Sequence, residues 1–232
     1  MKVYYISHSG FLVETGQCCY LFDYWTGALP TLNPDKPVIV LASHFHPDHY
    51  NPEVFPLLAG AGVKHVLAVL ARDISRKKYP EGVEVLRVAP HRSYDLPWGG
   101  TLETLQSTDS GVAFLLTTGE GIVYHAGDLN DWTWEGEPEE DNRQMRGSYR
   151  HEIGLLAGRH IDLAFVPLDP RLEEHYADGM LWFLDHTDTD RAFPMHYWNE
   201  PEIISRFLTE YPQYRDTVQD TEHYAVEEGE QT

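Results

Sequence analysis

Four metal-donor side chains fall within six consecutive positions: His44, His46, Asp48 and His49, in the stretch Ser43-His44-Phe45-His46-Pro47-Asp48-His49. Imidazole nitrogens and a carboxylate suit zinc, manganese or iron. The elements that must hold them lie on either side. Val38-Ile39-Val40-Leu41-Ala42 is an apolar run of strand length and reads as a buried strand. Residues two apart point the same way at a strand end, so His44 and His46 share a direction. Pro47 cannot extend a central strand, and the turn it forces brings Asp48 and His49 round to the same place. Asn51-Pro52 reads as an N-cap and first helical residue, opening a helix through Gly60. A His-rich surface turn is the bland alternative. Four donors between a buried strand and a capped helix weigh against it.

Composition narrows the partners. The chain has 232 residues, enough for one large domain or a compact pair of halves with a substantial core. Lys and Arg number 17 against 37 Asp and Glu, a net charge of −20. Such a field repels phosphate backbones, so no nucleic-acid partner is expected. The two cysteines, Cys18 and Cys19, are adjacent, which excludes a disulfide framework and fits reduced packing residues. Neither a signal-peptide pattern nor a long apolar span is present, so a cytoplasmic protein with no membrane association is expected.

Along the chain, residues 3–7, 10–15 and 18–23 read as short strands, and 24–36 as a polar loop. Strands are expected at 65–70 and 83–88, joined by a short helix over 72–78, then at 101–106, 111–117 and 122–126. The second half is more helical: 144–157, a strand at 162–167, a helix at 172–184, a strand at 191–194 and a helix at 200–211. Interleaving of this kind suits helices on the outer faces of two stacked sheets. The acidic tail 227–232 reads as frayed and solvated. His65, His175 and His186 read as structural or exposed residues, His91 as a loose candidate ligand or, more often, a surface-turn histidine, and His125 as a core residue or a donor behind the ligands.

The pattern His-x-His-x-Asp-His in residues 44–49 resembles the metallo-β-lactamase superfamily. Segments His8-Ser9-Gly10, Gly127-Asp128 and Pro194-Met195-His196 extend the resemblance over nearly the whole chain. They are most similar to the small single-domain branch of ascorbate-phosphate lactonase-like proteins and related phosphodiesterases. The resemblance implies an α/β fold, a four-layer αββα sandwich, as a single domain over 1–232. It also implies two divalent metal ions at one edge, with zinc first and manganese or iron as alternatives. Asp128 would bridge both ions, and Asp48, His49 and His196 would hold the second. His8 would approach as a donor behind the ligands, or merely stabilise its turn. Asp23 would orient neighbouring backbone and ligands.

The first metal departs from the pattern. His44 and His46 should be joined by a third histidine just before the strand near Gly111, but that place reads Ser107-Thr108-Asp109-Ser110. Asp109 is the best substitute, making a harder centre of two imidazoles and two carboxylates. Trp132 and Trp134, directly after Asp128, could wall a substrate pocket, or anchor a surface loop. After a strand at the same edge, Asp169 could orient a ligand and Arg171 could hold an anionic substrate group.

The activity expected from the resemblance is hydrolysis of a small ester, lactone or phosphodiester by a water activated between two metals, with Asp48 orienting that water or taking its proton. Diiron redox members of the superfamily usually carry Glu where His46 stands, which disfavours redox chemistry. The alternative is a metal-binding or sensing protein of the same fold with little turnover, since the third histidine is absent. The partners expected are a small-molecule substrate and, with assembly left open, further copies of the chain.

Overall fold

A computed structural model describes residues 1–224. The first sheet holds β1 (Lys2–Ser7), β2 (Gly10–Glu14), β3 (Cys19–Phe22), β4 (Val38–Ala42), β5 (Val66–Ala71) and β6 (Glu84–Val88), paired in that order. The first three are antiparallel, and β3 to β6 run parallel. The second holds β7 (Ser93–Asp95), β8 (Thr101–Gln106), β9 (Val112–Thr118), β10 (Gly121–His125), β11 (His160–Pro167) and β12 (Asp188–Met195), also paired in chain order. There β7 to β10 are antiparallel, while β10, β11 and β12 run parallel.

The sheets meet through apolar residues of both. Phe11 of β2 stacks on Phe165 of β11 with ring centroids 4.2 Å apart, and Phe22 of β3 approaches Phe114 of β9. Val38 to Ala42 are all buried, as a parallel strand covered on both faces requires. Helices α1 (Val54–Gly60), α2 (Glu139–Gly154), α3 (Asp178–His186) and α4 (Glu202–Glu210) complete the layers. Tyr124 of β10 stacks on Phe183 of α3 with centroids 5.0 Å apart, covering the outer face of the second sheet. The architecture is the αββα sandwich.

Several boundaries differ from expectation for local reasons. The first helix starts at Val54 because the Asn51 side chain is spent on a turn: its Oδ1 accepts from the Glu53 N–H and its Nδ2 donates to the Trp25 carbonyl. Only 76–78 of the expected 72–78 helix forms, as a single 3₁₀ turn capped by Ser75. Helix α2 begins after Pro138, with Glu139, Glu140 and Asp141 complementing the dipole of its first turn. Glu173, at φ 54°, breaks the expected 172–184 helix into a 3₁₀ stretch over 170–175 and α3. Strand β7 was not expected. The acidic tail 227–232 lies outside the described residues.

Both cysteines are buried and free. Among the described residues, no helix is long and apolar enough to cross a membrane.

Candidate metal centre

The donors converge on one edge of the sandwich. Residues 43–49 follow β4, Gly127-Asp128 follows β10, Asp169 follows β11 and His196 follows β12. Parallel strands end there, where loops rather than ladders present side chains. The two-residue turn between β1 and β2 brings His8 to this edge, and the loop entering β9 brings Asp109.

Two donor groups result, each with one ligand atom per residue and all atoms within 4.8 Å of one another. They are His44, His46, Asp109 and Asp128, and His8, Asp48, His49 and His196. Asp128 links them. Its Oδ1 lies 3.1 Å from His49 Nε2 and 3.4 Å from His196 Nε2, while its Oδ2 lies 3.4 Å from His44 Nε2. His44 Nε2 and His46 Nδ1 approach to 2.9 Å, and Asp109 Oδ2 lies 3.6 Å from His46 Nδ1. Donors sharing one cation at about 2.0–2.2 Å stand roughly 3–3.5 Å apart, so the spacing fits divalent metals. Buried atoms left without hydrogen-bond partners point the same way: His49 Nε2, Asp128 Oδ1 and both ring nitrogens of His8.

A buried framework aims these groups. Asp23, at φ 40°, accepts from the Ser43 N–H at 2.7 Å, the Ser43 hydroxyl at 2.6 Å and His49 Nδ1 at 2.7 Å. With Nδ1 bound there, His49 turns Nε2 inward. Asp169 does the same for His196, with Oδ2 2.9 Å from Nδ1, and also pairs with Arg171. Two glycines let loops close on the end of β4. A Cβ at Gly111 (φ 69°) would sit 1.9 Å from the Ser43 carbonyl oxygen, and one at Gly127 (φ 53°) 2.7 Å from Ser43 Cβ. The Thr108 hydroxyl donates to the Asn130 carbonyl at 2.7 Å, fastening the Asp109 loop to the Asp128 loop.

Charge within the site is strongly coupled. Burial, with His49 nearby, holds His44 down at about 4, against the pull of Asp128 and Asp23. Burial also lowers His8, opposed by Asp48. At Asp128 burial alone would raise the carboxyl, but His49, His196 and His44 hold it well below the carboxylate range. Burial would likewise raise Asp48, yet His8 and His49 hold it low. At His49 burial is outweighed by Asp128 and Asp23, which raise it well above the ordinary value. Burial and Asp128 raise Asp109. Asp48 and Asp128 are thus held as carboxylates and His8 and His44 as neutral imidazoles, the forms that bind cations.

The donors open into a cleft of about 510 Å³ that also has Trp132, Trp134, Met145, Arg171 and Trp198 in its walls. Arg171 lies over the Trp198 ring at 4.7 Å and the Trp134 ring at 5.9 Å. A second cavity, about 550 Å³, lies beside the C-terminal end of α2. There His91 pairs with Glu152 and Arg159 with Glu103, and none of the clustered metal donors lies in its walls.

The structure therefore brings together His44, His46, Asp48, His49, Asp109, Asp128 and His196, puts Trp132, Trp134 and Arg171 in the cleft wall, and seats Asp23 behind His49. His8 has a ring nitrogen grouped with ligand atoms of Asp48, His49 and His196. His125 is core, stacked on Phe22 at 5.0 Å with Nε2 2.9 Å from the Ser9 carbonyl oxygen. Ser43 and Trp198 escaped the sequence reading, whereas Asp169, expected to orient a ligand, holds His196 Nδ1 at 2.9 Å.

The family model described as "Beta-lactamase superfamily domain" matches residues 2–141. A UPF0173 metal-dependent hydrolase of Opitutus terrae is 27% identical over 224 residues, covering 88% of this chain and 87% of that one. Igni18, a metallo hydrolase from Ignicoccus hospitalis, is similar with a TM-score of 0.64 at 18% identity, over 94% of this chain and 93% of that one. CmlA, a diiron β-hydroxylase from Streptomyces venezuelae, gives 0.62 at 13% identity, over 94% of this chain and 52% of that one. The two structural likenesses speak to the fold alone. With the family match spanning more than half of the chain and including the His-x-His-x-Asp-His turn, the chain belongs to the metallo-β-lactamase superfamily.

Proposed function

We propose that this chain is a metal-dependent hydrolase built for two divalent cations and acting on a small ester, lactone or phosphodiester. The observation that carries the reading is Asp128, whose two carboxylate oxygens face two different donor groups. His44, His46 and Asp109 would hold one cation, and Asp48, His49 and His196 the other, with Asp128 between them. Zinc is the first choice, with manganese or iron favoured by the carboxylate content of the first position. Bound cations supply Lewis acidity, making water nucleophilic near neutral pH and polarising a carbonyl or phosphoryl oxygen.

The chain's own groups supply the rest. Trp132, Trp134 and Trp198 offer flat apolar walls for the body of a substrate. Arg171 has Nε and Nη2 engaged by Asp169 and can turn Nη1 to an anionic group. Cys18 and Cys19 are buried by β3 and play no nucleophilic part.

A metal sensor with little turnover would leave Asp109 aimed away. Its Oδ2 lies 3.6 Å from His46 Nδ1, which supports the enzyme. Cytoplasmic location, a small-molecule substrate and the exclusion of nucleic acids belong to the same proposal. They rest on the net charge of −20 and the free cysteines.

The test is to strip the protein with a chelator, reload it with zinc, manganese or iron, and assay matched lactones, carboxylic esters and phosphodiesters. Metal-dependent turnover of at least one class is expected, falling roughly 10²-fold or more in Asp48→Asn. No turnover of any class by fully loaded protein would contradict the proposal.

A further inference from the structure

We infer that His8 is a direct ligand of the second cation, and that this makes the second position the tight one and the first the exchangeable one. The inference rests on the two-cation reading above and adds to it a donor and an order of loading.

His8 is held in an unusual way. It sits in the turn between β1 and β2 at φ 54°, a region uncommon for residues other than glycine. Its side chain is 2% exposed. Trp198 packs on its ring at 4.6 Å and Trp25 at 5.6 Å, and the His196 ring lies 4.4 Å away. Neither ring nitrogen has a hydrogen-bond partner. A buried imidazole without partners is unfavourable unless a bound group satisfies it. One of its nitrogens shares the 4.8 Å cluster with ligand atoms of Asp48, His49 and His196.

The other reading is that His8 merely orients Asp48. The site contains two orienting pairs for comparison. Asp23 binds His49 Nδ1 at 2.7 Å and Asp169 binds His196 Nδ1 at 2.9 Å, both as well-formed hydrogen bonds that leave Nε2 facing inward. His8 and Asp48 do not match them. Nε2 and Oδ2 stand 3.4 Å apart without a hydrogen bond, the separation of two donors sharing a cation.

With His8 included, the second position has three imidazoles, Asp48 and one oxygen of Asp128, nearly all buried. The first has two imidazoles, Asp109 and the other oxygen of Asp128, and the side chains of His46 and Asp109 are 36% and 44% exposed. More nitrogen donors and less water access favour the second position for zinc.

The experiment titrates chelator-stripped full-length protein with zinc against a chromophoric competitor. It compares wild type, His8→Asn and Asp109→Ala, each checked by near-ultraviolet circular dichroism; Asn is chosen because it tolerates the left-handed backbone. Wild type should take two equivalents in separate steps. His8→Asn should weaken the tight step at least tenfold and leave the loose one, while Asp109→Ala should do the reverse. With ¹⁵N-labelled histidine and one equivalent of zinc, the His8 ring nitrogens should shift in wild type. If His8→Asn binds as wild type does, or the His8 resonances stay put, the ligand assignment is overturned while the two-cation reading stands. If wild type binds no zinc, both fall. Should His8→Asn misfold, the ¹⁵N shifts of wild type decide alone.

Discussion

Asp23 Oδ2 lies 2.7 Å from His49 Nδ1 with both side chains fully buried, and the same carboxylate takes the N–H and hydroxyl of Ser43. One residue thus fixes the direction of His49 and the end of β4. Asp23→Ala would strand these donors in the interior. Unfolding by urea should show a loss of about 3 kcal/mol or more in metal-free protein. Zinc affinity should also fall roughly 10- to 100-fold.

Gly111 is bound to β4 by shape. A methyl there would lie 1.9 Å from the Ser43 carbonyl oxygen, on a backbone at φ 69°. Gly111→Ala should therefore destabilise by about 2 kcal/mol or more, read from the denaturant midpoint, and displace the Asp109 loop. Gly82, also at positive φ but with nothing within 4 Å of its Cβ position, is the control. Its alanine variant should lose less.

These contacts separate what the sequence discloses from what it conceals. His44 to His49 were legible because ligand spacing and flanking apolar run are local. Asp128 and His196 were legible through the family resemblance of their Gly-Asp and Pro-Met-His segments, each just after a strand. The approach of Gly111 and Gly127 to Ser43 joins segments 68 and 84 residues apart and leaves no periodicity to read. The same holds for His8, whose neighbours Asp48 and His196 come from the rest of the chain. Glu173 gave no warning of its non-helical φ of 54°, since Glu is an ordinary helix former.

Trp134 is 36% exposed, and its backbone is clamped by Asn142, whose Oδ1 accepts from its N–H and whose Nδ2 donates to its carbonyl. Trp134→Ala should change stability by roughly 0.5 kcal/mol or less, because the loop keeps its clamp. KM should rise several-fold with kcat nearly unchanged, as removal of a wall predicts. A fall in kcat alone would place Trp134 in the chemical step instead.

Burial pushes the thiol of Cys18 up to about 12 and that of Cys19 to about 11. Thiol reagents at neutral pH should leave both unlabelled in native protein and label two per chain in denaturant. Labelling of the native state would show that the first sheet opens.

The central claim is that two cations share Asp128, with Asp109 standing where a histidine is missing. Elemental analysis of metal per chain tests it most directly, on wild type and Asp109→Ala purified without added metal. Two equivalents in wild type, falling toward one in the variant, are predicted. One equivalent or none in both, with no gain when zinc, manganese or iron is supplied, would contradict it.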